Sequence, residues 1–105
     1  MQRGDVYELR PPQRTGHEQQ GRRFGVVVQA DTLLPRSVVL VAPTSRRARP
    51  ASLRPEVVIK AEETRDLVEQ IGGVDVGRMG DRVGSASTEE MWSIDESLMT
   101  VLGLR

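Results

Sequence analysis

The chain has no cysteine and one histidine, and its aromatic residues are a single tryptophan, a single tyrosine and a single phenylalanine. Without cysteine there are no disulfides, thiolate metal sites or thiol nucleophiles, and one imidazole is too few for the usual zinc site. The expected complement of metals and cofactors is therefore none, and catalysis falls to Arg, Asp, Glu, Ser, Thr or His17. No apolar run approaches the roughly 20 residues that a membrane span needs. Arg3 and Asp5 are followed by no apolar stretch of the secretory kind. These absences predict a soluble cytoplasmic protein with no membrane association.

What is present fits one domain over residues 1–105, with 37% apolar and 29% charged residues. A chain of this size buries roughly two thirds of its unfolded surface, enough for one modest core. Fifteen basic and fifteen acidic residues cancel, so net charge selects no partner. Their distribution is uneven. Eight basic residues, all arginine, lie between Arg14 and Arg54, where the only acids are Glu18 and Asp31. The last eighteen residues hold four acids against Arg105 alone. One arginine-rich face would suit phosphate, which the planar guanidinium binds through a fork of donors.

Along the chain, Arg3 to Leu9 reads as a first strand stopped by Pro11-Pro12. Arg3-Gly4-Asp5 is then the start of that strand and not an adhesion motif. Gln13 to Gly21 is a polar connection whose length favours function. Phe24 to Gln29 is the second strand. Ser37 to Ala42 is a third, apolar enough for the centre of a sheet, and it ends at Pro43-Thr44-Ser45. Arg46 to Pro55 is an exposed loop. Glu56 to Ile59 is a fourth strand, Lys60 to Asp66 a charged turn, and Leu67 to Ile71 a fifth strand interrupted by Glu69. Gly72 to Gly80 reads as a turn with at most one helical turn, and Val83 marks a short last strand. Ser87-Thr88-Glu89-Glu90 has the form of a capping box. Met91, Ile94, Leu98 and Val101 then make one apolar helical stripe up to Gly103, with Trp92 beside it as a partly buried packing residue. Five or six strands and one C-terminal helix predict a small bent sheet closing into a partial barrel capped by the helix.

Three groups could form a site: His17 to Arg23, Thr44-Ser45 with Arg46-Arg47, and Glu69-Gln70. None has a metal-binding pattern, a serine-histidine-aspartate arrangement or a glycine cradle before a helix. Metal-free phosphoryl chemistry remains. Arginine can stabilise the charge of a pentacovalent phosphorane, a hydroxyl can orient an equatorial oxygen, and a carboxylate or imidazole can take a ribose proton.

The same residues resemble the MazF/Kid (PemK) toxin family of sequence-selective endoribonucleases. Arg3-Gly4-Asp5-Val6-Tyr7 is similar to the family's opening, and Gly16-His17-Glu18-Gln19-Gln20-Gly21-Arg22-Arg23 to its G-[SH]-E-Q-x-G-x-R signature in the Kid version. Val38 to Ser45 resembles the apolar strand ending in threonine and serine, and Leu67-Val68-Glu69-Gln70-Ile71 the later [LV]-x-[DE]-Q motif. Arg82-Val83-Gly84 and the final helix complete an order that covers essentially the whole chain. The resemblance implies an SH3-like β-barrel of the MazF/Kid/CcdB type. It implies metal-independent cleavage of single-stranded RNA, mRNA and also tRNA or rRNA, to 2′,3′-cyclic phosphate and 5′-hydroxyl ends, arresting translation. The implied assembly is a homodimer whose interface forms the RNA groove, held by the acidic C-terminal segment of a cognate antitoxin.

Carried over by residue, the resemblance makes Arg23 the electrophile and general acid and Thr44 the holder of the scissile phosphate. His17 and Glu69 complete the implied catalytic set, with Glu69 in the position of the proposed base. Glu18, Gln19, Arg22, Ser45, Arg46, Arg47 and Gln70 would contact RNA. The chain departs from the family at Phe24, where proline is usual, at Leu67, where the Kid branch has arginine, and at Gly72-Gly73-Val74-Asp75 in place of R-T-[IV]-D. A mechanism that uses those two arginines is not open to it; Arg22, Arg46 and Arg47 could supply the charge. The rival readings are a CcdB-like barrel that poisons gyrase without cutting nucleic acid, and an inactive antitoxin- or RNA-binding barrel. The Glu18-Gln19 to Arg23 run together with Thr44-Ser45 argues against both.

Overall fold

Val26, Val27 and Val28 are all buried, which a strand achieves only when both faces of its sheet are covered. The computed structural model describes residues 1–10 and 23–104. Within them seven strands and a helix follow in order: β1 Asp5–Leu9, β2 Arg23–Val27, β3 Val38–Ser45, β4 Glu56–Ile59, β5 Glu62–Asp66, β6 Gly72–Asp75, β7 Met79–Ser85 and α1 Thr88–Val101. The pairing is antiparallel throughout, in the order β4-β5-β3-β2-β1-β7, with β6 added to β3. Strand β3 is the spine: β2 lies along one side, while β6 pairs with its first half and β5 with its end.

Strand alternation divides the valines between two cores. Val6, Val26, Val28, Ala42, Val57, Ile59, Val68 and Ile94 form the core on the helix side. Val27, Val39, Val41 and Met79 form the core of the other face, with Tyr7, Leu9, Leu34 and Val74 around it. Gly25 permits the second core to close across β2, because a Cβ there would lie 2.3 Å from Val41 Cγ1 and 3.0 Å from Leu9 Cδ1. The result is the mainly β, SH3-like partial barrel with a C-terminal helix that the sequence predicts.

The predicted helix is present with its capping box. Ser87 accepts from the Glu90 amide, and the Glu90 carboxylate accepts from the Ser87 amide. Glu90 also does something the sequence does not disclose: its second oxygen accepts from the Val58 amide at 2.9 Å, blocking the outer edge of β4. Glu90→Ala therefore removes a cap and frees a strand edge, and should lower stability by about 1–2 kcal/mol in urea unfolding. The Arg3-Gly4-Asp5 run is structural. Gly4 takes a positive φ of 95°, Asp5 opens β1 paired with Arg82, and Arg3 reaches the Val28 carbonyl and Asp95 of the helix.

Five expectations are corrected. Lys60 to Asp66 is not a charged turn: only Lys60 and Ala61 turn, both at positive φ (53° and 65°), and Glu62–Asp66 is strand β5. Such a two-residue type I′ hairpin normally shows itself through Asn-Gly, which is missing here. Ala61→Gly should accordingly stabilise the chain by about 1 kcal/mol, read as a raised urea midpoint. Leu67 to Ile71 is not a strand but a connection containing the 3-10 turn Val68–Gln70. Its apolar residues are buried in the core because this turn tucks under the helix, not because they alternate across a pleat. Gly72 to Gly80 supplies β6, a 3-10 turn at Val76–Arg78 and the start of a seven-residue β7, so the strands number seven. Glycine suits Gly73 of β6 because a Cβ there would lie 2.8 Å from Val38 Cγ1 of β3. Trp92 is 64% exposed, one step off the inward stripe of Ile94 and Leu98. Strand β3 also runs on through Ser45, and its central position does not bury it throughout: Val38 and Leu40 stand exposed.

Candidate functional site

The end of β3 gathers the predicted residues. Thr44 and Ser45 are opposite Asp66 and Arg65 of β5. On the other side, the β2–β3 register pairs Gly25 with Pro43, and the Thr44 hydroxyl donates to the Phe24 carbonyl at 3.2 Å. Phe24 and Arg23 therefore flank the same strand end. The Leu67 amide donates to the Pro43 carbonyl at 2.7 Å, which seats the Val68–Gln70 turn against it. Arg23, Thr44, Ser45, Arg46, Arg47, Glu69 and Gln70 thus meet at one rim of the sheet. His17, Glu18, Gln19 and Arg22 lie outside the described residues.

Alternation distributes these side chains unequally. Arg23 is opposite Leu9 in register and leaves the sheet on the Leu9 face, whereas Thr44 points to the Phe24 face and is only 5% exposed. The two share a rim and not a face. Ser45 shares the Arg23 face by the same alternation, and its Oγ accepts from the Arg47 amide at 3.1 Å. The arginine-rich segment is less free than its composition suggests. Arg46 pairs with Glu62, Arg54 with Glu69, and Arg65 with Glu56. Arg23, Arg47 and Arg49 have no acidic partner among the described residues.

Glu69 is held by two guanidinium nitrogens of Arg54, at 3.0 and 2.8 Å from Oε2. That hydrogen bonding lowers its pKa and favours the carboxylate. Asp66 is the opposite case. It is fully buried, neither carboxyl oxygen has a hydrogen-bond partner among the described residues, and burial, with the Glu69 charge adding to it, pushes its pKa up to about 8. Sequence reasoning missed Asp66 and the pairing of Arg54 with Glu69. The alternation of Thr64 and Asp66 against Glu63 and Arg65 is the one trace of an inward acid. Among the described residues no three His, Asp or Glu side chains gather as a metal site would, and no helix is long and apolar enough to cross a membrane.

The family pattern described as "PemK-like, MazF-like toxin of type II toxin-antitoxin system" matches residues 2–102. The chain belongs to this family. This PemK/MazF-like toxin is 38% identical over 104 residues to Rv3098A of Mycobacterium tuberculosis, a protein named as a toxin by inference, covering 97% of each chain. Among solved structures, an endoribonuclease in complex with its cognate antitoxin from a mycobacterial species superposes with a TM-score of 0.79 at 18% identity, over 100% of this chain and 97% of that one. The Mycobacterium tuberculosis toxin MazF-mt6 superposes equally well, at 0.79 and 12% identity, over 96% and 98%. At such identities the superpositions establish that the PemK/MazF-like toxin has the MazF fold. They do not by themselves transfer a substrate.

Proposed function

We propose that this toxin is a metal-independent endoribonuclease that cuts single-stranded RNA at the β3 rim. The ribose 2′-oxygen attacks phosphorus, the bond to the 5′-oxygen breaks, and the products carry 2′,3′-cyclic phosphate and 5′-hydroxyl ends. The observation that carries this reading is the meeting of Arg23 with Thr44 and Ser45 at one strand end. Arg23 is exposed and has no acidic partner among the described residues, which suits a guanidinium meant for a phosphate. In this reading it stabilises charge on the phosphorane and protonates the leaving oxygen, its long side chain reaching over the rim. Thr44 fixes the Phe24 backbone and with it the start of β2 in the free protein, and when RNA binds its hydroxyl gives up that carbonyl to donate to the scissile phosphate.

Glu69 takes the ribose proton, with His17 as the other candidate base. The hold of Arg54 makes Glu69 a weaker base than a free carboxylate. Glu18, Gln19, Arg22, Ser45, Arg46, Arg47 and Gln70 contact the flanking nucleotides. A second copy covers the exposed Val38 and Leu40 of the β3 face, giving the homodimer and its RNA groove. A cognate antitoxin lays an acidic C-terminal segment into that groove against Arg47 and Arg49. The test is purified protein with a long single-stranded RNA in EDTA. Defined cuts by the wild type, lost in Arg23→Ala and Thr44→Ala variants that remain folded, support the proposal. Uncut RNA with folded wild type sinks it.

A further inference from the structure

We propose that Asp66 is a positioning residue, held as a neutral carboxylic acid beside Thr44 so that the rim meets a substrate phosphate without a second negative charge beside Glu69. The inference rests on the ribonuclease reading and extends it to a residue outside the assigned set.

Asp66 and Thr44 are direct register partners, so both side chains project to the same face of the sheet. The Asp66 amide donates to the Pro55 carbonyl at 2.9 Å, which anchors this strand end, and the residue is fully buried. Both carboxyl oxygens lack hydrogen-bond partners among the described residues. A buried ion so placed is far more costly than a buried neutral acid. Three residues on, Glu69 is held in its ionised form by Arg54. The site therefore contains two carboxyl groups whose surroundings drive them to opposite protonation states, the arrangement by which one fold assigns different roles to like groups.

Among the described residues no cation faces Asp66 to alter this. Arg54 is engaged with Glu69, and Arg65 with Glu56 and the Arg54 carbonyl. Thr44 and Ser45 of β3 and Phe24 of β2 bring no charge, and Lys60 lies over the Phe24 ring, 6.0 Å from its centroid. The helix side contributes Ile94, Leu98 and Ser97, while Glu90 is tied to Val58 and Ser87. Burial is the first cause of the raised proton affinity and the Glu69 charge the second, and together they place the titration at about pH 8. Ionisation would add an unpaired charge behind the phosphate-binding rim and repel the substrate.

Two readouts test this. In the wild type, the carbon-13 carboxyl resonance of Asp66, assigned by its loss in Asp66→Asn, should titrate near pH 8; a midpoint near pH 4 overturns the proposal. Wild-type cleavage should fall about tenfold per pH unit above that midpoint, while Asp66→Asn, neutral at every pH, should stay flat to about pH 9.5. RNA that is cut with superimposable profiles overturns the proposal and leaves the ribonuclease reading intact. RNA uncut at every pH, with the carboxyl titrating near 8, overturns the ribonuclease reading and with it the positioning role.

Discussion

Replacing Arg23 with alanine should slow RNA cleavage by about a hundred- to a thousand-fold while leaving the protein folded. That range is typical for removing one preorganised donor from a developing oxyanion. The fold should tolerate the change because Arg23 is exposed at the end of β2 and makes no ion pair with any described residue. Arg23→Lys should recover only part of the loss, since an ammonium lacks the fork that engages two phosphate oxygens at once. Thr44→Ala should behave differently. Its hydroxyl bonds the Phe24 carbonyl from a nearly buried position, so the variant should lose about 1 kcal/mol of stability as well as activity. Single-turnover rates alongside urea unfolding separate the two patterns. A folded Arg23→Ala protein that cuts at the wild-type rate would remove Arg23 from the reaction.

The second large effect concerns stability. Asp66→Asn should gain on the wild type as pH rises. The folded state holds the Asp66 proton up to about pH 8, whereas the unfolded chain releases it near pH 4. Between those values the native state binds more protons than the unfolded state, so wild-type stability falls with rising pH, by up to about 1.4 kcal/mol per unit. The contribution is fully present below pH 4 and fully lost above pH 8. Asparagine titrates nowhere and should remove this slope. Urea unfolding of both proteins at pH 5.0 and 7.5 should show their difference moving by roughly 3 kcal/mol in favour of Asp66→Asn. An unchanging difference would mean that the buried carboxyl is ionised across the whole range and has found a partner.

Much of this architecture is written in local sequence. The Val26–Val28 run, the third strand and the capped C-terminal helix are recoverable because periodicity and capping depend on near neighbours. The order of the motifs points to the family, whereas the meeting of Arg23, Thr44, Glu69 and Gln70 at one rim is read from the strand register and the Leu67–Pro43 hydrogen bond. The missed elements depend on packing instead. Strand β5 hides because its turn uses Lys60 and Ala61 where a hairpin usually shows Asn-Gly. The Leu67 to Ile71 segment has a strand's composition but is shaped by docking under α1. Nothing in a string of letters says that Asp66 is covered while Glu69 is paired, since burial of an acid is decided by elements distant in the chain. Trp92 shows the converse: an aromatic beside an apolar stripe stays outside.

The account stands most directly on the ends of the RNA. A long single-stranded RNA treated with purified protein in excess EDTA should yield fragments whose 5′ ends are free hydroxyls and whose 3′ ends are 2′,3′-cyclic phosphates, and none with folded Arg23→Ala. RNA left intact by folded wild-type protein, fragments ending in 5′-phosphate, or cutting abolished by EDTA would contradict it.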